Sequence, residues 1–265
     1  MNLFLLTASH DQHVGFRHAA GYIKRAVDRV PKSIMCGWII ADDGERAVFD
    51  DYETWKNVDE QVHPDMLSVV TIRRPPSPSG LQSFIGNMRE LAVTLGQVAG
   101  PDDIAAVIED DWFHADYLRD ACAAFQENSH LLLWGETRTR YYRVDNRRYH
   151  IFNANGRAAL SATVMRAQWG ATQIRQWADR SRSTMMLDDV LWRRAIVPVW
   201  SPVSRDRQIL MPESRYVVGI KGLPGTKGLG IGSDLDERHS LDEGCAVLRQ
   251  WIGALDAERY YHFGQ

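Results

Sequence analysis

Residues 103–120 read DIAAVIEDDWFHADYLRD. An apolar run from Ile104 to Ile108 stops abruptly at Glu109, Asp110 and Asp111, and an amphipathic helix opens within a few residues. So short a run beside a helix predicts a strand covered on both faces, as in a mostly parallel sheet. Open α/β sheets take their ligands at the carboxyl ends of such strands. Three adjacent carboxylates there repel one another, and a hard divalent cation relieves that cost through oxygen ligands. A solvated loop that caps the next helix is the plain alternative.

The same alternation extends in both directions. Residues 3–6 predict a first strand and 7–12 a polar turn, after which Phe16, Ala19, Ala20, Ile23, Val27 and Val30 recur at helical spacing up to Pro31. Residues 34–40 predict a second buried strand, ending in Ala41-Asp42-Asp43-Gly44, and residues 67–72 a third. The prolines within 73–80 exclude a helix or central strand there. A helix bearing Phe84, Ile85, Met88, Leu91, Ala92 and Leu95 precedes the acid-tipped strand, and one bearing Tyr117, Leu118, Ala121, Cys122 and Phe125 follows it. The fold class expected is α/β, a doubly wound and mostly parallel sheet with flanking helices.

Beyond residue 130 the pattern changes. Residues 131–134 predict a strand, 139–153 a hairpin about Asp145-Asn146, and stretches around 174–178 and 187–195 predict helices before a strand at 196–199. Residues 219–232 read as a glycine-rich loop carrying Lys221 and Lys227. A capping box, Ser240 to Glu243, predicts a last helix with Leu241, Cys245, Leu248, Ile252 and Leu255 on its apolar face. No linker stands out, so the expectation is one domain over residues 1–235 with a helical C-terminal extension, 236–265, packed on it.

With 265 residues the chain has ample material for a core without staples. A net charge of −3 argues against a generic polyanion binder but leaves room for a local basic groove. Cys36, Cys122 and Cys245 lie far apart in apolar contexts and read as reduced core residues. No signal-type segment and no apolar stretch of ~20 residues is present. The expectation is a soluble, cytoplasmic protein with no membrane partner (the host cytoplasm, if phage-encoded).

Several constellations point to chemistry. Asp42 and Asp43 at a strand tip suit hydrogen bonds from a ribose or nucleobase, with Gly44 allowing a tight turn; taken alone, the motif reads first as a simple β-turn. A second acidic tip at Glu109-Asp110-Asp111 converges on the same sheet edge, which suits a nucleoside diphosphate with a bound divalent ion. The glycine-rich stretch matches neither a Walker A motif nor a dinucleotide fingerprint, yet Lys221 and Lys227 among glycines suit a loop closing over phosphates. Asp188 and Asp189 open a predicted helix, where acids also serve the helix dipole; a carboxylate there is a candidate general base. The run Arg138, Arg140, Tyr141, Tyr142, Arg143, Arg147, Arg148, Tyr149 reads as an exposed hairpin or a nucleic-acid contact. His10, His13 and His18 lack convincing metal spacing, and Trp112 either stacks on a sugar or anchors the following helix.

The ordered set of Thr7, Asp42-Asp43-Gly44, Glu109-Asp110-Asp111 and Asp188-Asp189 resembles a GT-A (Rossmann-like) glycosyltransferase of the family 2 type, in particular soluble bacterial and bacteriophage members. The resemblance covers roughly residues 1–235. It implies that Thr7, Ser9 and Asp42 or Asp43 contact the nucleoside. Asp111 would bind Mn²⁺ or Mg²⁺, with Glu109 and Asp110 at the ribose and metal shell. Asp189, or Asp188, would match the base of inverting members, and the Lys221–Lys227 stretch would cover the diphosphate. The triplet reads Glu-Asp-Asp where the family has Asp-x-Asp, which leaves open which acid ligates.

The activity so implied is metal-dependent transfer of a sugar from a nucleotide diphosphate sugar, a UDP-sugar first, to a hydroxyl acceptor with inversion. The Arg/Tyr run and the phage likeness point to hydroxymethylated pyrimidine in DNA as one acceptor. A nucleotidyltransferase and a non-catalytic nucleotide-binding protein are the rivals. The turn Thr7-Ala-Ser-His-Asp-Gln-His lacks the glycine-rich basic loop that the first rival would carry.

Overall fold

Apolar runs of the first half form four parallel strands: β1 (Leu3–Ser9), β2 (Cys36–Asp42), β3 (Leu67–Arg73) and β4 (Ile104–Val107), ordered β3-β2-β1-β4. The computed structural model describes residues 1–11, 13–46, 67–76, 80–154, 156–180, 186–192, 207–224 and 237–264. All four residues of β4 are buried, as a strand covered on both faces requires. Helix α1 (His13–Val27) joins β1 to β2, and α2 (Leu81–Val98) joins β3 to β4. The sheet grows from β1 through β2 to β3, then returns to place β4 on the other flank of β1. The boundary between β1 and β4 is therefore the topological switch point, where doubly wound sheets open a ligand crevice.

The chain next makes a short strand, β5 (Trp112–Phe113), and helix α3 (Tyr117–Glu127). The main sheet then widens with β6 (Leu133–Glu136) and β9 (Thr163–Arg166), the latter antiparallel to both β4 and β6; β10 (Gln208–Met211) closes the edge parallel to β6. The predicted hairpin forms as β7 (Arg138–Arg143) and β8 (Arg148–Asn153). It belongs to a second sheet with β11 (Val217–Lys221) and β12 (Ser240–Leu241), ordered β12-β8-β7-β11-β5. Helices α4 (Ala167–Arg180) and α5 (Leu187–Trp192) follow β9; α6 (Ala246–Ile252) and α7 (Ala254–Glu258) form the C-terminal extension.

Three expectations need correction. Residues 219–221 are strand, not loop, because Ile220 and its neighbours Val217 and Val218 are buried between β5 and β7. The proposed capping box does not form: Ser240 pairs with Tyr149 as part of β12, and the Asp242 carboxylate instead accepts the Val247 and Leu248 N–H groups at 3.1 and 3.2 Å. Gly253, at φ 83°, then breaks the helix, and Leu255 is left 82% exposed. Lys227, the expected strand at 196–199 and residues 193–195 lie outside the described residues. All three cysteines are free and buried, as expected. No described helix is long and apolar enough to cross a membrane.

The C-terminal extension docks on α1. His18 packs against the rings of Tyr260 and Phe263, with centroids 5.1 and 5.9 Å away. Burial, with help from Arg259, His262 and Arg17, lowers its pKa to about 4 from an ordinary 6.5. A histidine with a depressed folded pKa stabilises fully above its unfolded value and loses that contribution as pH falls toward the folded one. We therefore expect stability to drop between pH 6.5 and about 4, with a shallower drop in His18→Gln, read as urea midpoints across that range.

Candidate active site

Because β1, β2 and β4 are parallel neighbours, their carboxyl ends share one rim with β1 in the middle. Ser9 pairs with Asp42 and Leu6 with Val107. The Asp-Asp-Gly turn and the acid triplet thus emerge on the same edge, two strand spacings or about 10 Å apart.

At the β2 tip both aspartates are committed to the protein and fully buried. Asp43 Oδ1 accepts from Ser83 Oγ at 2.7 Å, Asn87 Nδ2 at 2.9 Å and His10 Nδ1 at 3.0 Å, while Arg74 Nη1 stands 3.4 Å from Oδ2. Asp42 accepts from Arg73 Nη1 at 2.6 Å and from the Gly44 N–H at 3.2 Å. Gly44 matters by size: a Cβ there would lie 2.7 Å from the Asp11 nitrogen. Thr7 is likewise occupied, donating to the Ile108 carbonyl at 2.9 Å and accepting from Trp38 Nε1 at 3.0 Å. These contacts tie β1 to β4 just beneath the acids. The Ser9 hydroxyl is buried without a hydrogen-bond partner among the described residues.

The triplet lies at the joint of the two sheets. After Asp111 the chain turns into β5, which pairs antiparallel with β11 and so brings Ile220 and Lys221 across from the acids. Asp111 Oδ1 accepts the Ile220 N–H at 3.2 Å and faces Lys221 Nζ at 3.4 Å. Burial, then Asp111, raises the Glu109 pKa to about 8, against the pull of Lys221. Asp110 is raised too, by burial first. Burial opposes the charge on Lys221, but Asp111, Asp110 and Glu109 outweigh it and hold the ammonium above its ordinary value. Trp112 is an anchor: its Nε1 donates to Asp256 Oδ2 at 2.7 Å, and the same carboxylate pairs with Arg25 at 2.6 Å.

Asp110 packs on the first turn of α1, where a Cβ on Gly15 would stand 2.6 Å from the Asp110 Cβ. Gly15→Ala should therefore displace the triplet. We expect a loss of stability of about 1–3 kcal/mol, typical of overpacking, together with weaker donor binding. Denaturant unfolding and nucleotide titration of the variant check both.

Asp188 and Asp189, at the start of α5, share one cation. Arg157 Nη1 lies 2.8 Å from Asp188 Oδ2 and 3.0 Å from Asp189 Oδ2. Arg157 is itself buried, with an Nε that has no hydrogen-bond partner among the described residues. Burial raises the Asp188 pKa, and Arg157 lowers it. The Asp188 charge acts on both Glu109 and Tyr141, which puts the α5 tip in the neighbourhood of the β4 tip. Tyr141 completes the wall; its ring covers Gly219, with Lys221 Nζ 6.0 Å from the ring centroid. Burial pushes its phenol to about 12.

The structure thus brings Glu109, Asp110, Asp111, Lys221, Asp188 and Asp189 into one region, while Asp42, Asp43 and Thr7 underpin the same rim from inside. Sequence reasoning missed Arg157, a lone loop arginine with no motif around it, and placed Tyr141 in a basic surface run. A large aromatic alternating with arginines was the available signal for Tyr141. That run is largely spent internally: Arg140 donates to Ser214 Oγ at 3.0 Å, Arg143 pairs with Asp145 at 2.6 Å, Arg148 donates to the His239 carbonyl at 3.1 Å, and Tyr142 is buried. Glu136 was also missed. It is buried and accepts the N–H groups of Arg215, Tyr216 and Val217, which fixes the entry into β11.

For a divalent ion the donor chemistry fits. Hard cations take oxygens, and Mg²⁺ commonly uses one or two carboxylates with substrate phosphates completing the shell. Both Asp111 contacts above fall on Oδ1, so Oδ2 and the neighbouring Glu109 carboxylate are the oxygens that would serve an ion. Among the described residues, no group of three or more His, Cys, Asp or Glu could hold an ion unaided.

No family model and no curated protein sequence matches the chain. Solved structures do match. S. aureus TarS is 12% identical, with 83% of this chain and 37% of TarS covered at a TM-score of 0.49. The mannosyltransferase PcManGT from Pyrobaculum calidifontis, in complex with GDP-Man and Mn²⁺, is 9% identical, with 84% and 57% covered at 0.44. Mouse xyloside xylosyltransferase 1 is 8% identical, with 72% and 79% covered at 0.38. The chain spans less than two thirds of the first two proteins. At these identities and scores the likeness decides nothing about substrate or residue roles.

Proposed function

We propose that the chain is a glycosyltransferase that moves a sugar from a nucleotide diphosphate sugar, a UDP-sugar first, to a hydroxyl acceptor with inversion. The observation that supports this reading is the Asp111–Lys221 pair at the β4 tip, beside Glu109, with the Arg157-paired Asp188 near enough for its charge to act on Glu109. The family resemblance of the motifs supports it.

In this reading the nucleoside lies along the rim between β1 and β2. Asp42 and Asp43 act from beneath it, through Arg73, Arg74 and the turn they hold, and Ser9 offers a hydroxyl. Asp111 and Glu109 would hold Mn²⁺ or Mg²⁺ with Asp110 behind them, and such an ion would supply positive charge to offset the departing diphosphate. Lys221 adds a positive charge from the adjacent strand, and Lys227 is assigned to the same task.

The acceptor oxygen forms its bond to the anomeric carbon as the bond from that carbon to the diphosphate oxygen breaks, and the acceptor proton passes to a carboxylate. We assign that role to Asp188. Its charge acts on Glu109 and Tyr141, and burial raises its pKa, which suits a proton acceptor. Arg157 holds its geometry. Tyr141 forms an apolar wall against which a sugar ring packs. With Arg140, Arg143 and Arg148 engaged within the protein, the acceptor class is left as a hydroxyl compound, and DNA is one member to be assayed.

A thermal-shift panel of nucleotide sugars with and without Mn²⁺ tests the reading. One donor should stabilise the protein, more so with the metal; no stabilisation by any member would contradict it.

A further inference from the structure

The acid triplet already has a cation of its own. Lys221 reaches it from β11, its side chain only 14% exposed, and rests 3.4 Å from Asp111 Oδ1. The lysine is held there by backbone and not by chance of rotamer alone, since the adjacent Ile220 N–H donates to the same oxygen. Tyr141 lies alongside its ammonium, and Gly219 beneath that ring keeps β11 close to β7. A divalent ion entering at Asp111 would meet an ammonium at close range in a poorly hydrated place, where like charges repel strongly.

We propose that Lys221 is a resident counter-cation on Asp111 which a divalent ion displaces, so that metal and donor diphosphate bind as one unit, the diphosphate receiving the lysine that the metal evicts. This rests on the donor site assigned above. The coupling has a definite sign. Without diphosphate the displaced ammonium keeps only Asp110 and Glu109 nearby, acids whose charge the metal also offsets, and metal binding is weak; with diphosphate it gains a further anion, and each ligand promotes the other. The free protein would therefore avoid loading metal without a donor.

The test is Mn²⁺ alone, titrated into the full chain and followed by the electron paramagnetic resonance signal of the free ion, with no nucleotide present. Lys221→Met should bind Mn²⁺ roughly tenfold or more tightly than the wild type, within the usual range of site coupling. Lys221→Arg, which keeps the charge, should stay as weak as the wild type, and Asp111→Asn combined with Lys221→Met should lose the gain. Equal affinity in the wild type and Lys221→Met, or no binding by either, overturns the proposal.

A second measurement needs no substitution. In the wild type, Mn²⁺ should speed acylation of Lys221, read by mass spectrometry, and an unchanged rate overturns the proposal as well. Neither experiment involves a sugar donor. Their failure is thus separable from failure of the transferase reading, which the nucleotide-sugar panel decides.

Discussion

Asp111→Asn should reduce sugar transfer by on the order of a hundredfold to a thousandfold, the usual cost of removing one preorganised electrostatic contact to a leaving group. The substitution preserves size and an oxygen for the Ile220 N–H, which Asp111 accepts at 3.2 Å. What it removes is the negative charge that balances Lys221 and holds a cation. Breaking a buried ion pair commonly costs about 3–5 kcal/mol, and the loss here should fall below that range because Glu109 and Asp110 remain beside the lysine. Turnover and urea unfolding of the same preparation separate the two effects. A variant that is destabilised yet turns over normally would remove Asp111 from the chemistry and leave it as a structural partner of β11.

Asp188→Asn should lower kcat by about 10²–10⁴ while leaving donor affinity close to that of the wild type, as expected for loss of a general base. The isosteric amide has one oxygen where Asp188 has two, so it can accept from Arg157 or from the Asp189 N–H, which now donate to separate carboxylate oxygens at 2.8 and 2.9 Å, but not from both. Urea unfolding of the variant separates that lost contact from the loss of the base. Asp189→Asn should do less harm, because Arg157 retains Asp188. Steady-state kinetics of both variants with the donor identified by thermal shift make the comparison. A larger loss in Asp189→Asn would exchange the two roles; unchanged kcat in both would place the base elsewhere.

Much of the frame was legible in the sequence because it depends on local periodicity. The apolar run at Ile104, the helical spacing of Phe16 to Val27 and the Asp42-Asp43-Gly44 turn each fix an element and its end, and parallel order follows from their alternation. Of the second sheet, only the β7–β8 hairpin was legible. β5 has two residues, β11 is buried yet contains Gly219 and Lys221, and their pairing joins positions about a hundred residues apart. Lys221 therefore read as a loop cation when it is a strand residue fixed against Asp111. The capping box failed for a related reason: tertiary pairing of Ser240 with β8 overrode a local signal, and Asp242 capped the helix in its place. Arg157 had no local pattern to betray it, since its role arises only when α5 folds back over the loop before β9.

The most direct test is release of nucleoside diphosphate from a panel of nucleotide sugars, followed with Mn²⁺ present for the wild type, Asp111→Asn and Asp188→Asn. At least one donor should be turned over by the wild type, and both variants should be deeply impaired, Asp188→Asn while still binding that donor. Binding of a nucleotide sugar with no turnover under any acceptor condition, or turnover indifferent to both substitutions, would contradict the transferase reading.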